Sequence, residues 1–198
     1  MILAAHLAPS TGVDNNLAIT LMNDILGGEY RARVNRNLRM DKRWSYGAFT
    51  LLPDARAQRP WIVYAPVQTD QTAASIKELL GEFERVQSTH PIDSEELQWA
   101  VRKQVLSLPA QFETGQAVLG ALQANERFDR TDDYVSALKQ AYEAVTLESV
   151  QGAAEEVLHP NRLIWVVVGD RKVIESDLQS LGLATPEFLD TDGNPVSD

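Results

Sequence analysis

No cysteine occurs anywhere in the 198 residues. That rules out a disulfide framework and every thiolate metal site, and it leaves the redox compartment open. Histidine is nearly as scarce, with only His6, His90 and His159. No two of them stand at i and i+4, so neither order of the zincin helix motif is present and no self-contained zinc site can be read from the spacing. Each has a plainer structural role: His6 lies in an apolar, strand-like run, and His90 and His159 each precede a proline at a helix boundary. The spacings G-x-x-x-x-G-K-[ST], G-x-G-x-x-G and G-x-S-x-G are also missing, which excludes the usual phosphate-cradling loops and the serine nucleophile elbow. "DTDGN" opens like a calcium loop, but Asp190, Asp192 and Asn194 lack the acidic residue at the loop's twelfth position and read as a solvated tail.

Positive charge is in short supply too. Lys and Arg number 18 against 28 Asp and Glu, a net charge of -10. Nucleic acid and anionic membrane surfaces are held by extended basic surface, so neither is an expected partner; a cationic surface suits this chain better. No apolar run approaches the roughly 18 residues that a membrane-spanning helix needs, so no membrane insertion is expected. The opening "MILAAHLAPS" lacks the basic n-region of a signal peptide, and its apolar stretch is short for one. It reads as a strand entered abruptly, from which we expect a fragment or cleaved product. Composition and length suit one domain, residues 1–182, followed by a polar tail, 183–198, expected to be poorly ordered.

What is present is a strong helical and strand patterning. Asn15 or Asn16 caps a helix carrying Leu17, Ala18, Leu21, Met22, Ile25 and Leu26, which ends at Gly27-Gly28. A second helix is expected over Glu29 to Met40, with Tyr30, Val34 and Leu38 as its buried stripe. "SYGAFTLL" and "RPWIVYAPVQ" read as a hairpin joined by "PDARAQ", and "WIVYAPV" is a candidate edge for an added peptide strand. Helices follow over "TDQTAASIKELLGEFERVQ" and "PIDSEELQWAVRKQVLSL"; the latter has Asp93 and Glu96 at capping-box spacing and Leu97, Val101, Val105 and Leu108 as its stripe. Shorter helices are expected near 115–125, 132–144 and 147–158. "RLIWVVVGD" reads as a strand buried on both faces in the middle of the sheet, followed by a helix over "RKVIESDLQSLG". The order predicts an α+β fold, a mixed, mostly antiparallel sheet layered with helices.

One stretch departs from the acidic background: "NRNLRMDKRWSYG", residues 35–47, concentrates basic side chains. On a helical wheel Arg33 and Arg36 fall opposite the stripe and read as solvated, while Arg39 falls on its flank. Seven positions later, Tyr46 opens the first strand of the hairpin. A guanidinium and a phenol brought to one rim of the sheet would form two donors able to stabilise an oxyanion. The competing reading pairs Arg39 with Asp41 and leaves Tyr46 as a packing residue.

The run Met22 to Gly47, with Leu26-Gly27-Gly28, Arg33-Val34, Leu38-Arg39 and Tyr46-Gly47, resembles the signature of the C-terminal domains of pitrilysin-type zinc metallopeptidases, the inverzincins. Val67–Leu79, Glu95–Thr114 and Val166–Asp170 resemble later segments of the family in order and spacing. Two departures stand out: Met40 replaces a commonly acidic residue, and Lys42-Arg43-Trp44 replaces a glycine-containing connection. The resemblance implies a pitrilysin-like half-domain that holds no metal or cofactor of its own. Zinc and the general-base Glu would belong to a partner half or subunit bearing H-x-x-E-H, and the substrate would be a peptide. It further implies that Arg39 and Tyr46 bind the substrate carbonyl and assist the oxyanion, that this chain alone is inactive, and that the compartment is the periplasm. The alternative within the same fold is a non-catalytic structural or assembly subunit.

Overall fold

A computed structural model describes residues 1–131 and 133–196, without the side chain of Gln111. Strand β1 (Ile2–Ala8) alternates: Ile2, Ala4, His6 and Ala8 are buried, and Leu3, Ala5 and Leu7 turn outward. Strand β3 (Arg59–Ala65) runs antiparallel beside it, with Ile2 opposite Ala65 and Ala8 opposite Arg59. Strand β2 (Phe49–Leu51) pairs with β3, and β4 (Ile164–Val167) pairs with β1, which gives one antiparallel sheet in the order β2-β3-β1-β4.

Two strand expectations are corrected here. β4 lies at an edge, not in the middle, and Ile164 is 74% and Val166 50% exposed while Trp165 and Val167 turn inward. Its unbroken apolar run reflects an outer sheet face that is itself apolar, since Leu3, Ala5, Leu7, Ile62 and Tyr64 share it. β3 offers no free edge over Ile62–Tyr64, because β2 occupies it; the free edges belong to β2 and β4.

Helix α1 (Asn16–Asn23) continues into a π-helical turn, Asp24–Gly28. A side chain at Gly27 would put its Cβ 2.6 Å from the Thr50 side chain and 2.7 Å from its backbone nitrogen, so only glycine lets the helix approach β2 this closely. Beside that contact the buried Asn23 Oδ1 accepts hydrogen bonds from Thr50 Oγ1 (2.8 Å) and Trp61 Nε1 (3.0 Å). The next helix begins at Arg33, not Glu29: α2 (Arg33–Asn35) runs on as a π-helical turn, Arg36–Asp41, because Glu29 and Ala32 are extended. Val34 and Leu38 are buried as expected, but Tyr30 lies before the helix and is exposed.

Helices α3 (Thr72–Val86) and α4 (Ser94–Ser107) follow, and α4 carries the expected Asp93–Glu96 capping box. Of its face only Ala100 is fully buried; Leu97, Val101, Val105 and Leu108 pack half-exposed against the core. Then come α5 (Gly115–Arg127), α6 (Tyr134–Glu143), α7 (Leu147–Val157) and α8 (Arg171–Ser180). The expected helix start at 132 and the last two tail positions, 197 and 198, lie outside the described residues. Val196 N–H donates to the Phe188 carbonyl (2.8 Å), Asp190 N–H to that of Asn194 (2.9 Å), and the Arg171 guanidinium lies 3.5 Å from the Phe188 ring centre. Among the described residues no helix is long and apolar enough to cross a membrane.

The inner face of the sheet shares one core with α1, α3 and α7. Trp61 is its largest member; Phe83 meets it edge-on at 5.1 Å and His6 stacks on it at 5.1 Å. His6 Nδ1 bonds the Leu7 carbonyl, and its other nitrogen faces the His159 backbone N–H at 3.5 Å. Burial lowers the His6 pKa below 6.5, and the nearby His159 and Arg162 add to that against the pull of the Leu7 carbonyl.

Two outcomes test this core. Gly27→Ala is expected to destabilise the fold by about 2–3 kcal/mol in chemical denaturation, the cost of overpacking a contact between two backbones. A His6 pKa below that of the unfolded chain means that the unfolded state binds the proton first, so His6 lowers stability as pH falls through 6.5. Melting temperatures from about pH 7 down to about 5 should therefore fall more for the parent than for His6→Phe, which keeps a ring on Trp61; parallel curves would refute the assignment.

Candidate functional site

The connection from the π-helical turn Arg36–Asp41 to β2 folds back on itself. The Leu38 carbonyl, freed at the helix end, accepts hydrogen bonds from Trp44 N–H (2.9 Å) and Ser45 N–H (3.3 Å). Arg43 makes the reversal at φ 60°, the left-handed region that favours glycine. On the far side, Ser45 Oγ donates to the Pro66 carbonyl (2.6 Å) and accepts from Gly47 N–H (3.0 Å), while Gln68 N–H donates to the Trp44 carbonyl (2.9 Å). Asn35, wholly buried, donates to the Tyr30 carbonyl (2.7 Å) and accepts from Ala48 N–H (3.1 Å). Residues 38 and 45 are thus in backbone contact, and Arg39 and Tyr46 each lie one residue beyond that contact.

Both of these side chains keep free donors. Arg39 is half-buried, with its guanidinium 4.6 Å from the Tyr30 ring centre, and it pairs with no carboxylate among the described residues; the alternative pairing with Asp41 does not form. Tyr46 is 95% exposed, and its hydroxyl has no hydrogen-bond partner among the described residues. It stands between the Ser45–Val67 bridge and the Phe49–Tyr64 pair that ends the β2–β3 ladder.

The other cations of the basic stretch divide by partner. Arg33 is corrected from solvated to buried work: it makes a two-pronged bond to Glu96 (2.7 and 2.5 Å) and donates to the carbonyls of His90 (2.6 Å) and Pro91 (3.0 Å). Its acid comes from a neighbouring helix, α4, which the wheel of a single helix does not show. Burial opposes its charge, but Glu96 outweighs burial and the Arg33 pKa is raised. Lys42 pairs with Glu78 at 3.0 Å and lies 5.2 Å from the Trp44 ring centre. Burial would raise the Glu78 pKa, yet Asn37 and Lys42 together hold it below the usual carboxylate value. Arg31 and Arg36 are exposed.

Sequence reasoning missed Asn35 and Arg59. Asn35 had one signal, its position a helical turn before Arg39. Arg59 had none: it is a buried strand residue whose guanidinium donates to the Pro9 carbonyl (2.9 Å), Thr11 Oγ1 (3.1 Å) and Asn16 Oδ1 (2.5 Å) and pairs with Asp54 at 3.3 Å. Burial lowers its pKa against the pull of Asp54. His6 and His159 come within 5.8 Å, ring to ring, but among the described residues no three His, Asp or Glu side chains gather as a metal site.

Comparison with known proteins follows the same geometry. Solved structures of like fold include a peptidase M16 inactive domain from Pseudomonas fluorescens, at 18% identity and TM-score 0.74, covering 83% of this chain and 39% of that one. A protease from Helicobacter pylori matches at 14% identity and TM-score 0.74 over the same shares. A chain of Complex III2 from Candida albicans matches at 11% identity and TM-score 0.71, over 91% of this chain and 46% of that one. The chain therefore spans about two fifths of the length of the first two. No curated protein matches it. The family described as peptidase M16 inactive domain matches residues 1–104, more than half the chain, and the α+β fold agrees with it. The chain belongs to the peptidase M16 inactive domain family.

Proposed function

We propose that this domain is the zinc-free wall of a two-part metallopeptidase chamber and that Arg39 and Tyr46 bind the substrate's scissile carbonyl. The observation that supports this reading is that Arg39 and Tyr46 have no acid or hydrogen-bond partner among the described residues and flank a connection tied down from both sides, in a domain whose outer sheet face is apolar and exposed. An extended peptide lying against that face would bury apolar side chains on Leu7, Ile62 and Ile164, with its backbone carbonyls near the rim.

Zinc bound by a partner half bearing H-x-x-E-H would supply Lewis acidity and an activated water. This chain supplies the complementary charge. As the carbonyl carbon is attacked, negative charge collects on its oxygen; Arg39 offers a permanent cation and fixed N–H donors, and Tyr46 a neutral O–H. The Tyr30 ring under the guanidinium restricts Arg39 before substrate arrives, which lowers the ordering cost of the bound state.

The alternative, a non-catalytic assembly subunit, draws on the shared fold with the Complex III2 chain. Recombining the domain with its zinc-bearing partner separates the two. Arg39→Ala or Tyr46→Phe should each lower peptide turnover by roughly 10²–10³, the loss on removing one oxyanion donor, with unchanged melting curves. Wild-type turnover in both variants would refute the assigned roles and favour the assembly subunit.

A further inference from the structure

Away from the Arg39–Tyr46 rim, a cavity of about 300 Å³ opens between the turn that follows β1 and the start of α6. That volume is at the lower bound of small-ligand sites. Its apolar lining comes from Val13 and Leu17 on one side and Leu138 with two alanines of α6 on the other. Two charged side chains line the same space, Asp14 from the turn and Arg130 from the α5–α6 connection.

Neither charge is neutralised. The Arg130 guanidinium lies 4.3 Å from the Tyr134 ring centre and 4.9 Å from that of Phe128, and among the described residues it has no carboxylate partner and no side-chain hydrogen bond. Two aromatic rings hold the plane of the group while leaving its N–H edge free. Asp14 is exposed and likewise unpaired among the described residues, and the two do not pair with each other. Arg56 pairs with Asp129, and Arg59 with Asp54.

An apolar cavity with an unpaired cation and an unpaired anion on separate segments suits a ligand that carries both charges and an apolar body. We propose that this cavity binds a small zwitterion of the apolar dipeptide kind, with its carboxylate on Arg130, its ammonium on Asp14 and its side chains against Leu17 and Leu138. A bare anion would leave Asp14 repelling it, and a neutral apolar ligand would leave both charges beside a buried surface without compensation.

The probe is leucyl-leucine, titrated into the isotope-labelled chain and followed by backbone amide shifts. Saturable shifts confined to residues 11–17 and 128–141 are expected at millimolar or lower concentration. N-acetyl-leucyl-leucine and leucyl-leucinamide, each missing one charge, should bind about tenfold more weakly, as should Arg130→Gln and Asp14→Asn with free dipeptide. Free leucine in a parallel titration distinguishes an amino acid from a dipeptide as the source of the two charges. Equal binding of the capped and free dipeptides, unweakened binding by both variants with unchanged circular dichroism, or no shifts at millimolar dipeptide would each overturn the proposal.

Discussion

The approach of α1 to the short strand β2 is the constraint on which the rest depends. Gly27 allows it, and Asn23 fixes it by accepting from Thr50 and Trp61 at once. Moving the helix outward would leave an indole N–H and a hydroxyl unpaired in the core, each costing about 1–3 kcal/mol. Trp61 in turn touches Phe83 of α3 and His6 of β1, so a single carboxamide oxygen couples helix, sheet and second helix. Because β2 is only three residues long, its position is set by this contact more than by its own ladder. The connection bearing Arg39 and Tyr46 leads directly into that strand.

The same logic sorts the cations around the rim. Arg33 makes four hydrogen bonds to Glu96 and two carbonyls from a side chain only 15% exposed, where charge-assisted bonds are worth about 1.5–3 kcal/mol each before desolvation is subtracted. It therefore ties α2 to the start of α4. Lys42 and Glu78 are 38% and 27% exposed, and solvent screening holds their pair to under about 1 kcal/mol. Lys42 trims the position of the connection without fixing it. Arg39 lies between these two tethered cations and rests on an aromatic ring instead of an acid, which leaves its donors available.

Much of the architecture was legible in the residues because it follows local rules. The capping box at Asp93 and Glu96, the glycine pair closing the first helix and the alternation in β1 each specify an element without tertiary help. Failures came where a local pattern had two physical readings. An apolar run such as Ile164–Val167 signals apolar surroundings on both faces, and a covered face cannot be told from a bare one until the sheet order is known. Tyr30 matched the helical period yet stands before the helix, since the extended Glu29 and Ala32 postpone its start; Arg33 was read as solvated because its acid, Glu96, comes from another helix. The rim pair itself was visible only as a seven-residue spacing. The backbone contact of residues 38 and 45, just before each of them, depends on one carbonyl, that of Leu38, receiving two amides from across a left-handed turn, which no periodicity encodes.

The outer face of the sheet departs from the usual pattern of a solvated one. Antiparallel sheets exposed to water usually alternate apolar and polar residues, yet here the outward positions of all four strands carry no charge: Leu3, Ala5 and Leu7; Phe49 and Leu51; Pro60, Ile62 and Tyr64; Ile164 and Val166. The chain carries 46 charged residues, so an uncharged face is not a matter of composition. An apolar surface continuous across four strands is costly in a free monomer and gains free energy only when something covers it. The connection that follows Arg39 joins the sheet at the Tyr64 end, where Ser45 bridges to Val67. On the proposed reading of Arg39 and Tyr46, an extended chain would be that cover, its side chains on the wall and one carbonyl toward the two donors.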